Sequence, residues 1–164
     1  MQRSRIEALQ NAPMFGAVGD EVVELVVELA SVVDLASGEY FFRQGERGSS
    51  AFLLEQGDVD ILKSWEGSEY RLGKLSEGDC FGEVALLDFG ARSASVRASS
   101  DCRALEIGAR DLHQVAKKDP GQFALIYMNL ARELSRRLRA AADRLFRVRF
   151  ETTRAVEGHD YAAM

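Results

Sequence analysis

The chain has 164 residues, a formal net charge of −5, 46% hydrophobic residues and 29% charged residues. That length suits one ordinary domain, and the composition excludes wholesale disorder, a collagen-like repeat and, with two cysteines, a disulfide-stapled scaffold. No run approaches the ~20 apolar residues of a membrane helix, and the N-terminus lacks the apolar core of a secretory signal. We therefore expect a cytoplasmic single-domain protein without a membrane partner.

Charge and glycine are unevenly distributed along the chain. Residues 1–131 sum to −8 and residues 132–164 to +3, which gives an acidic body and a basic end. Nine of the 14 glycines lie between Gly38 and Gly90, so turns are concentrated in the middle of the chain.

The first segment, from Arg3 to about Ser31, is predicted to be helical. Asp20 stands where a side-chain N-cap is expected. Apolar residues then recur at helical spacing, at Val22, Leu25, Val26 and Leu29.

The middle of the chain, from about Val32 to Ile107, changes to the short period of β-strands. Short apolar or alternating runs are separated by turn residues at regular intervals, which indicates an all-β barrel or sandwich. The predicted strands include the runs at residues 40–42, 51–54, 59–62 and 104–107. The glycines expected to turn with positive φ between them are Gly38, Gly45, Gly48, Gly57, Gly67, Gly73 and Gly78.

The last part of the chain is predicted to be helical again. Asp111 is expected to cap a short helix at residues 112–118. Asp119 is a good cap immediately before Pro120, which suits the first position of a second helix. Nothing breaks that second helix before about Phe150.

This long helix carries a heptad seam about three heptads long. The seam residues are Tyr127, Ala131, Leu134, Leu138, Ala141, Leu145 and Val148. Either the helix lies on its own barrel or two copies pair along it; we expect a homodimer, because so long a helix needs more than the barrel to cover its apolar stripe. The arginines off the seam are interpreted as a soluble surface rather than a nucleic-acid contact. They are Arg136, Arg137, Arg139, Arg144, Arg147 and Arg149.

Residues 78–96 carry the chemistry of a ligand site. A glycine turn leads into a predicted helical turn at residues 83–87, whose first backbone N–H groups lack internal partners and suit an anion. Arg92 offers a planar fork that matches a phosphate, and Ser93 adds a hydroxyl. Glu83 would repel an anion unless it accepts hydrogen bonds from the ligand, as from a ribose hydroxyl. The pattern predicts a nucleotide with one tightly held phosphate; the alternative is an ion pair between Glu83 and Arg92.

The run Phe81–Leu87 followed by Arg92–Val96 resembles the phosphate-binding cassette of the cyclic-nucleotide-binding domain family. Gly38–Gly45 and Leu54–Val59 are similar to two further motifs of that family, and the resemblance covers roughly residues 14–150. It is a resemblance to the sensor domain of the bacterial catabolite activators, without their DNA-binding domain. It implies a mainly β fold with flanking helices: a jelly-roll β-barrel with N-terminal helices and a long C-terminal helix.

The resemblance also implies a role for individual residues. Glu83 would bind the ribose 2′-hydroxyl, Arg92 would neutralise the cyclic phosphate, and Ser93 would touch phosphate or base. The full expected site comprises Phe81, Gly82, Glu83, Val84, Ala85, Arg92, Ser93, Ala94, Leu72 and Ile61. The long helix would close over the base, with Arg137, Leu138 and Ala141 as its lid.

The identity of the base stays open between adenine and guanine. Where the catabolite activators present a hydroxyl pair to adenine, this chain has Ala141 and Ala142, neither of which can hydrogen-bond a base. A hydroxyl at Ser93 is also compatible with guanine in the family. We favour cAMP as the ligand, with cGMP as the other choice.

Catalytic, metal and redox chemistry are not expected. No nucleophile–base pair or paired carboxylates stand out, and the two cysteines are too few for an iron–sulfur cluster. Neither His113 nor His159 suggests a haem or metal site. Cys80 is interpreted as a small buried side chain, with a redox switch as the alternative.

These observations predict three parts. Residues 1–118 would form the cyclic-nucleotide-binding β-barrel with N-terminal helices, residues 119–150 the long lid and dimerisation helix, and residues 151–164 a tail that folds back or stays disordered. The tail is too short for a DNA-binding domain.

We expect a stand-alone cyclic-nucleotide sensor, not an enzyme, that transmits binding through its C-terminal helix to a separate effector protein. The alternative is a degenerate module that keeps the fold for protein–protein assembly and binds nucleotide weakly or not at all.

Overall fold

A computed structural model describes the backbone of residues 6–7 and 9–160 and the side chains through residue 153. Within that part of the chain residues 6–7 and 9–10 are helical. The further helices are α1 (Asp20–Leu29), α2 (Glu83–Asp88), α3 (Ala109–Lys118) and α4 (Pro120–Asp160), with a 3-10 turn at Pro13–Phe15. The strands are β1 (Ser31–Leu35), β2 (Tyr40–Phe42), β3 (Ser50–Gln56), β4 (Val59–Trp65), β5 (Ser68–Leu75), β6 (Cys80–Phe81), β7 (Ser95–Ala98) and β8 (Cys102–Gly108).

The strands form two antiparallel sheets of four. One sheet has the order β1-β8-β3-β6 and the other β2-β7-β4-β5, so strands distant in sequence are neighbours, as in a jelly roll. Every strand run named from the sequence is part of one of these strands. The expected mainly β fold with flanking helices is therefore confirmed.

The side chains of strand β3 contribute to two separate hydrophobic clusters, one on each face of the sheet. Its alternating side chains point to opposite faces, so Ala51 and Leu53 belong to one buried cluster while Phe52 and Leu54 belong to the other. The first cluster packs against the helices and includes Val23 of α1. The second lies on the side where the two sheets face each other, and its members are Phe42, Phe52, Leu54, Val59, Phe81, Val96, Ala98, Cys102 and Ala104. The predicted phosphate-binding cassette begins at Phe81, which belongs to this second cluster.

The helix starts correct two of the expected caps. Gly19, not Asp20, is the N-cap of α1, and Asp20 is its first helical residue, where its charge favours the helix dipole. Asp111 is likewise the third residue of α3, and its Oδ2 accepts a hydrogen bond from the N–H of Gly108 at 2.7 Å. The third cap is confirmed, because Asp119 Oδ1 accepts from the N–H of Gln122 at 3.0 Å.

Two of the seven glycines expected to turn with positive φ do not. Gly48 and Gly73 have ordinary backbone conformations, whereas the other five have positive φ. Gly73 lies inside β5, beside a bulge where the register with β4 shifts. Gly48 is required for a different reason, the close approach of an arginine side chain, described below.

The chain divides into two compact units, residues 1–130 and residues 131–164. The first unit extends past the expected boundary at residue 118, because Ile126 and Leu130 of α4 are buried in the helix-side core. Helix α4 itself continues to Asp160, so the prediction that it ends at residue 150 was wrong. No residue between 151 and 157 is a glycine or proline that would stop it, and residues 161–164 lie outside the described part of the chain.

The second unit exposes large apolar side chains. Leu138 is 71% exposed, and Leu145 and Val148 are each 60% exposed, all three on the predicted heptad seam. Across the described residues, none of the helices has the length and apolar character needed to span a lipid bilayer.

Candidate functional site

The cassette begins where β6 ends and α2 starts. Gly82 connects them in the left-handed conformation, with φ 77°, and a Cβ at this position would lie 2.7 Å from Arg92 Nη1. Glu83 follows as the first residue of α2 and is only 3% exposed. Val84 is partly exposed and Ala85 is buried. The chain therefore folds here into a tight corner with a buried carboxylate at its start.

Arg92, at the other end of the cassette, places its side chain against the corner at Gly82. Its backbone is anchored to the turn before β3: the Arg92 N–H donates to Glu46 O at 2.8 Å, and the Gly45 N–H donates to Arg92 O at 2.9 Å. Its side chain points inward, so that the residue is 6% exposed. Nη1 donates both to Ser50 O at 2.8 Å and to Gly82 O at 2.9 Å, and Nη2 donates to Ser50 Oγ at 3.2 Å. The arginine thus joins the start of the cassette to strand β3.

Two apolar features hold the guanidinium in place. Its Cζ lies 4.0 Å from the centroid of the Phe42 ring, a cation–π arrangement. On another side it lies against Gly48, where an added Cβ would come within 2.3 Å of Arg92 Nε. Gly48 is therefore the residue that makes room for the arginine.

Three carboxylates influence this guanidinium. Burial lowers the pKa of Arg92, and the charges of Glu106, Glu46 and Glu83 oppose that shift. Glu106 also accepts a hydrogen bond from Ser50 Oγ at 2.7 Å, which links it to the arginine through the serine. The hydrogen bonds of the Arg92 side chain go to the carbonyl oxygens of Ser50 and Gly82 and to the hydroxyl of Ser50. The sequence alternative was an ion pair between Glu83 and Arg92, but Glu83 is only one of three carboxylates whose charge acts on the arginine.

A cavity of about 520 Å³ opens beside this arginine. Its wall includes Phe41, Phe89, Gly48, Glu106 and Arg92. Phe89 is the C-cap that follows α2, with φ 55°, and it is 64% exposed, so the tip of the cassette loop extends into solvent. Within the described residues, no group of three or more His, Cys, Asp or Glu side chains is arranged to hold a metal ion.

The remaining cassette residues differ in their surroundings. Ser93 is exposed and Ala94 half-buried, immediately after Arg92. Phe81 is 2% exposed and stacks on Phe52 with ring centroids 5.3 Å apart, so it lies within the core between the sheets. Cys80 is buried as expected, with its thiol free of any disulfide.

The two strand residues of the expected site, which the family resemblance places against the base or ribose, lie on the β4–β5 hairpin. Ile61 is half-buried against the core between the sheets, and its register partner on β5 is Gly73. Leu72 is the extra residue of the bulge and is 56% exposed. An apolar side chain left this open is available to a ligand.

Lys63 is a cassette contact that the sequence reasoning missed. It lies two residues after Ile61 on β4, and its Nζ donates to the carbonyl oxygen of Ser93 at 2.6 Å. The only sequence signal was a lysine in an otherwise apolar and alternating strand, which is common on any solvated strand face.

The lid residues belong to the second unit. Arg137 Nε is 3.2 Å from Glu133 Oε1 and Arg136 Nη2 is 2.7 Å from Glu133 Oε2, so one glutamate holds two arginines. Leu138 and Ala141 are exposed. Burial alone would raise the pKa of Glu133, but the hydrogen bonds and charges of the two arginines outweigh it and lower that pKa.

Comparison with known proteins gives a consistent result. Residues 32–119 match the family model described as the cyclic nucleotide-binding domain. The Cyclic AMP receptor protein of Thermus thermophilus is 33% identical over 147 residues, which are 89% of this chain and 66% of that protein. A cAMP-dependent protein kinase regulatory subunit of Mycosarcoma maydis is 36% identical over 91 residues, or 56% of this chain and 17% of that protein. The chain thus spans less than two thirds of either relative.

The fold agrees as well. The crystal structure of the Thermus thermophilus Catabolite Activator Protein superimposes with a TM-score of 0.74 at 33% identity, covering 85% of this chain and 64% of that one. The family-model match over residues 32–119 includes the cassette, strands of both sheets and α3. The matching family is a binding and regulatory domain rather than a catalytic one. The chain therefore belongs to the cyclic nucleotide-binding domain family.

Proposed function

We propose that this chain binds a cyclic nucleotide, with cAMP preferred over cGMP, and passes the binding signal through α4 to a separate effector protein in the cytoplasm. The observation that carries the proposal is Arg92, a buried guanidinium held at the cassette corner by Ser50 and Gly82. A buried guanidinium whose N–H donors are not all used is costly, and a bound phosphate would supply oxygen acceptors for the unused ones. The two buried cysteines form no disulfide, which suits the reducing cytoplasm.

Arg92 has donors left for a phosphate. Both hydrogens of Nη1 are used by carbonyl oxygens and one hydrogen of Nη2 by Ser50 Oγ. Within the described residues, its Nε–H and its second Nη2–H donate to no protein atom. These two N–H groups lie on one edge of the guanidinium fork, the arrangement that binds two oxygens of one phosphate.

The rest of the ligand would be divided between polar and apolar residues. Glu83 is acceptor-only when ionised, so it would accept from the ribose 2′-hydroxyl beside the phosphate. Ile61 and the exposed Leu72 offer apolar surface to the base. The relatives named as a cyclic AMP receptor and as a cAMP-dependent kinase subunit favour adenine. The side chain of Ala141, a proposed lid residue, has no group that could hydrogen-bond a base.

Calorimetric titration with cAMP and with cGMP tests this function. We expect binding by the wild type and a loss of most affinity in Arg92→Ala, because the phosphate charge would then be unpaired. Arg103→Ala is the matched control, since Arg103 is an exposed arginine paired with Asp34 on the β1–β8 edge. Failure of the wild type to bind either nucleotide at high micromolar concentration would favour the alternative, a degenerate module that serves protein–protein assembly.

The second part of the proposal is a homodimer along α4. Leu138, Leu145 and Val148 expose apolar side chains at heptad spacing, and a second copy would cover the same stripe. Leu145→Glu should convert a dimer into a monomer in sedimentation velocity. Phe146→Glu adds the same charge to an equally exposed residue off the seam and should leave the dimer intact. A wild type that sediments as a monomer at high concentration would exclude the dimer.

A further inference from the structure

Lys63 brings a second positive charge to the cassette. It lies on β4 on the same face as Ile61, which packs against the core between the sheets, and its partner on β5 is Tyr70. From there its Nζ reaches the carbonyl oxygen of Ser93 at 2.6 Å, one residue beyond Arg92. The β4–β5 hairpin and the end of the cassette are therefore joined by an ammonium group.

The charge of Lys63 is not neutralised by the protein. Its acceptor is a neutral carbonyl, and within the described residues no carboxylate forms an ion pair with it. An ammonium has three donor hydrogens, of which the Ser93 contact uses one. The side chain is exposed, so the other two hydrogens face solvent or whatever binds there.

The carboxylates around Arg92 give the positive charge of Lys63 a role in binding an anion. Glu106, Glu46 and Glu83 all act on the Arg92 guanidinium through their charge. The exposed Arg47 lies on the wall of the same cavity as Arg92, Glu46 and Glu106. An anionic ligand bound at this arginine would be repelled by those carboxylates, in surroundings where the protein screens charge less than water does. A further cation beside the cassette would offset part of that repulsion.

We propose that Lys63 is a second cationic residue of the phosphate subsite, which pairs with Arg92 to bind the cyclic phosphate monoanion and holds the Ser93 end of the cassette against β4. The assignment rests on the proposed function and adds to it the source of the remaining positive charge. It assigns Lys63 to the phosphate, which all cyclic nucleotides share, and not to the edge of the base.

Calorimetry with cAMP and cGMP at two salt concentrations tests the assignment. Lys63→Met keeps the length of the side chain and removes its charge, whereas Lys63→Arg keeps the charge. The control is Lys117→Met, which removes one charge from an exposed position on α3. We expect Kd to rise about tenfold for both nucleotides in Lys63→Met, the size of one lost charge contact, and to stay within about threefold in Lys63→Arg. Lys117→Met should match the wild type.

The salt dependence separates a charge role from a merely structural one. Loss of a phosphate-binding cation should weaken the dependence of Kd on ionic strength in Lys63→Met, whereas loosening of the cassette alone would leave that dependence unchanged. Unchanged affinity, an unchanged salt dependence, or a loss confined to one of the two bases would each overturn the assignment. If the wild type bound neither nucleotide, the proposed function and this assignment would both be overturned.

Discussion

Gly48→Ala should abolish most nucleotide binding although residue 48 need never touch the ligand. Its backbone lies outside the positive-φ region, so alanine causes no backbone strain there. The new Cβ would lie 2.3 Å from Nε, 2.4 Å from Cζ and 2.6 Å from Nη2 of Arg92. Carbon and nitrogen atoms in ordinary contact are about 3.5 Å apart, so the guanidinium must move by more than about 1 Å.

That movement has different consequences for stability and for binding. The guanidinium is the end of a flexible side chain, and it can regain hydrogen bonds with water as it leaves Ser50 and Gly82, so we expect a stability loss of only about 1–2 kcal/mol. Phosphate binding needs the guanidinium at one place. Two charge-assisted hydrogen bonds at about 1.5 kcal/mol each amount to about 3 kcal/mol, or roughly a hundredfold rise in Kd.

Calorimetry with cAMP, together with a thermal melt of each variant, measures both effects. Gly121→Ala is the matched control: residue 121 lies in the first turn of α4, where a Cβ meets Asp119 Oδ1 at an ordinary 3.4 Å. It should keep wild-type affinity and melt at or slightly above the wild-type temperature. Wild-type affinity in Gly48→Ala would refute the reasoning, because it would mean that the observed position of Arg92 is unnecessary for binding.

Three further predictions concern stability. Gly57→Ala should lose about 3 kcal/mol or more of unfolding free energy in urea denaturation, because residue 57 has φ 91° and its Cβ would lie 2.4 Å from Asp101 O. Asn129→Ala should lose about 2 kcal/mol in the same assay, because the buried Nδ2 donates to two carbonyl groups of the N-terminal turn, at 3.2 and 2.8 Å. Since the two arginines lower the pKa of Glu133 in the folded chain, its contribution to stability is present above the unfolded-state pKa and is lost as pH falls through the folded one. The gap in melting temperature between the wild type and Glu133→Gln should therefore close on acidification; a gap that persists unchanged in acid would contradict the ion-pair explanation.

The sequence predicted the strands well because their pattern is local. Runs such as residues 51–54 alternate between two cores, and an alternating or apolar run of that length is favoured in a strand. Asp119 before Pro120 was equally readable, since both residues act on the next turn of chain. The helix caps at Asp20 and Asp111 were misplaced by one to three residues, because an acidic residue is favoured both at the cap and in the first turn.

The parts of the site that the sequence missed depend on contacts between distant segments. Gly48 looked like a turn glycine, but its role depends on Arg92, 44 positions away, arriving against it. Lys63 looked like an ordinary strand lysine until β4 and the end of the cassette were brought together. Phe81 belongs to the cassette motif and yet packs in the core, because β6 pairs with β3 and brings Phe81 into register opposite Phe52.

The hydrogen bond from Arg92 to the carbonyl of Gly82 ties the two ends of an eleven-residue loop together. Because the ends are fixed to each other, the intervening segment adds little closure entropy when its length changes, and Phe89 at its tip is already exposed. A short insertion beside Gly90 should therefore be tolerated without moving the corner that the arginine closes. The exposed Phe89 position is a natural place to attach a fluorescent reporter, because it lies on the cavity wall and yet outside both buried cores.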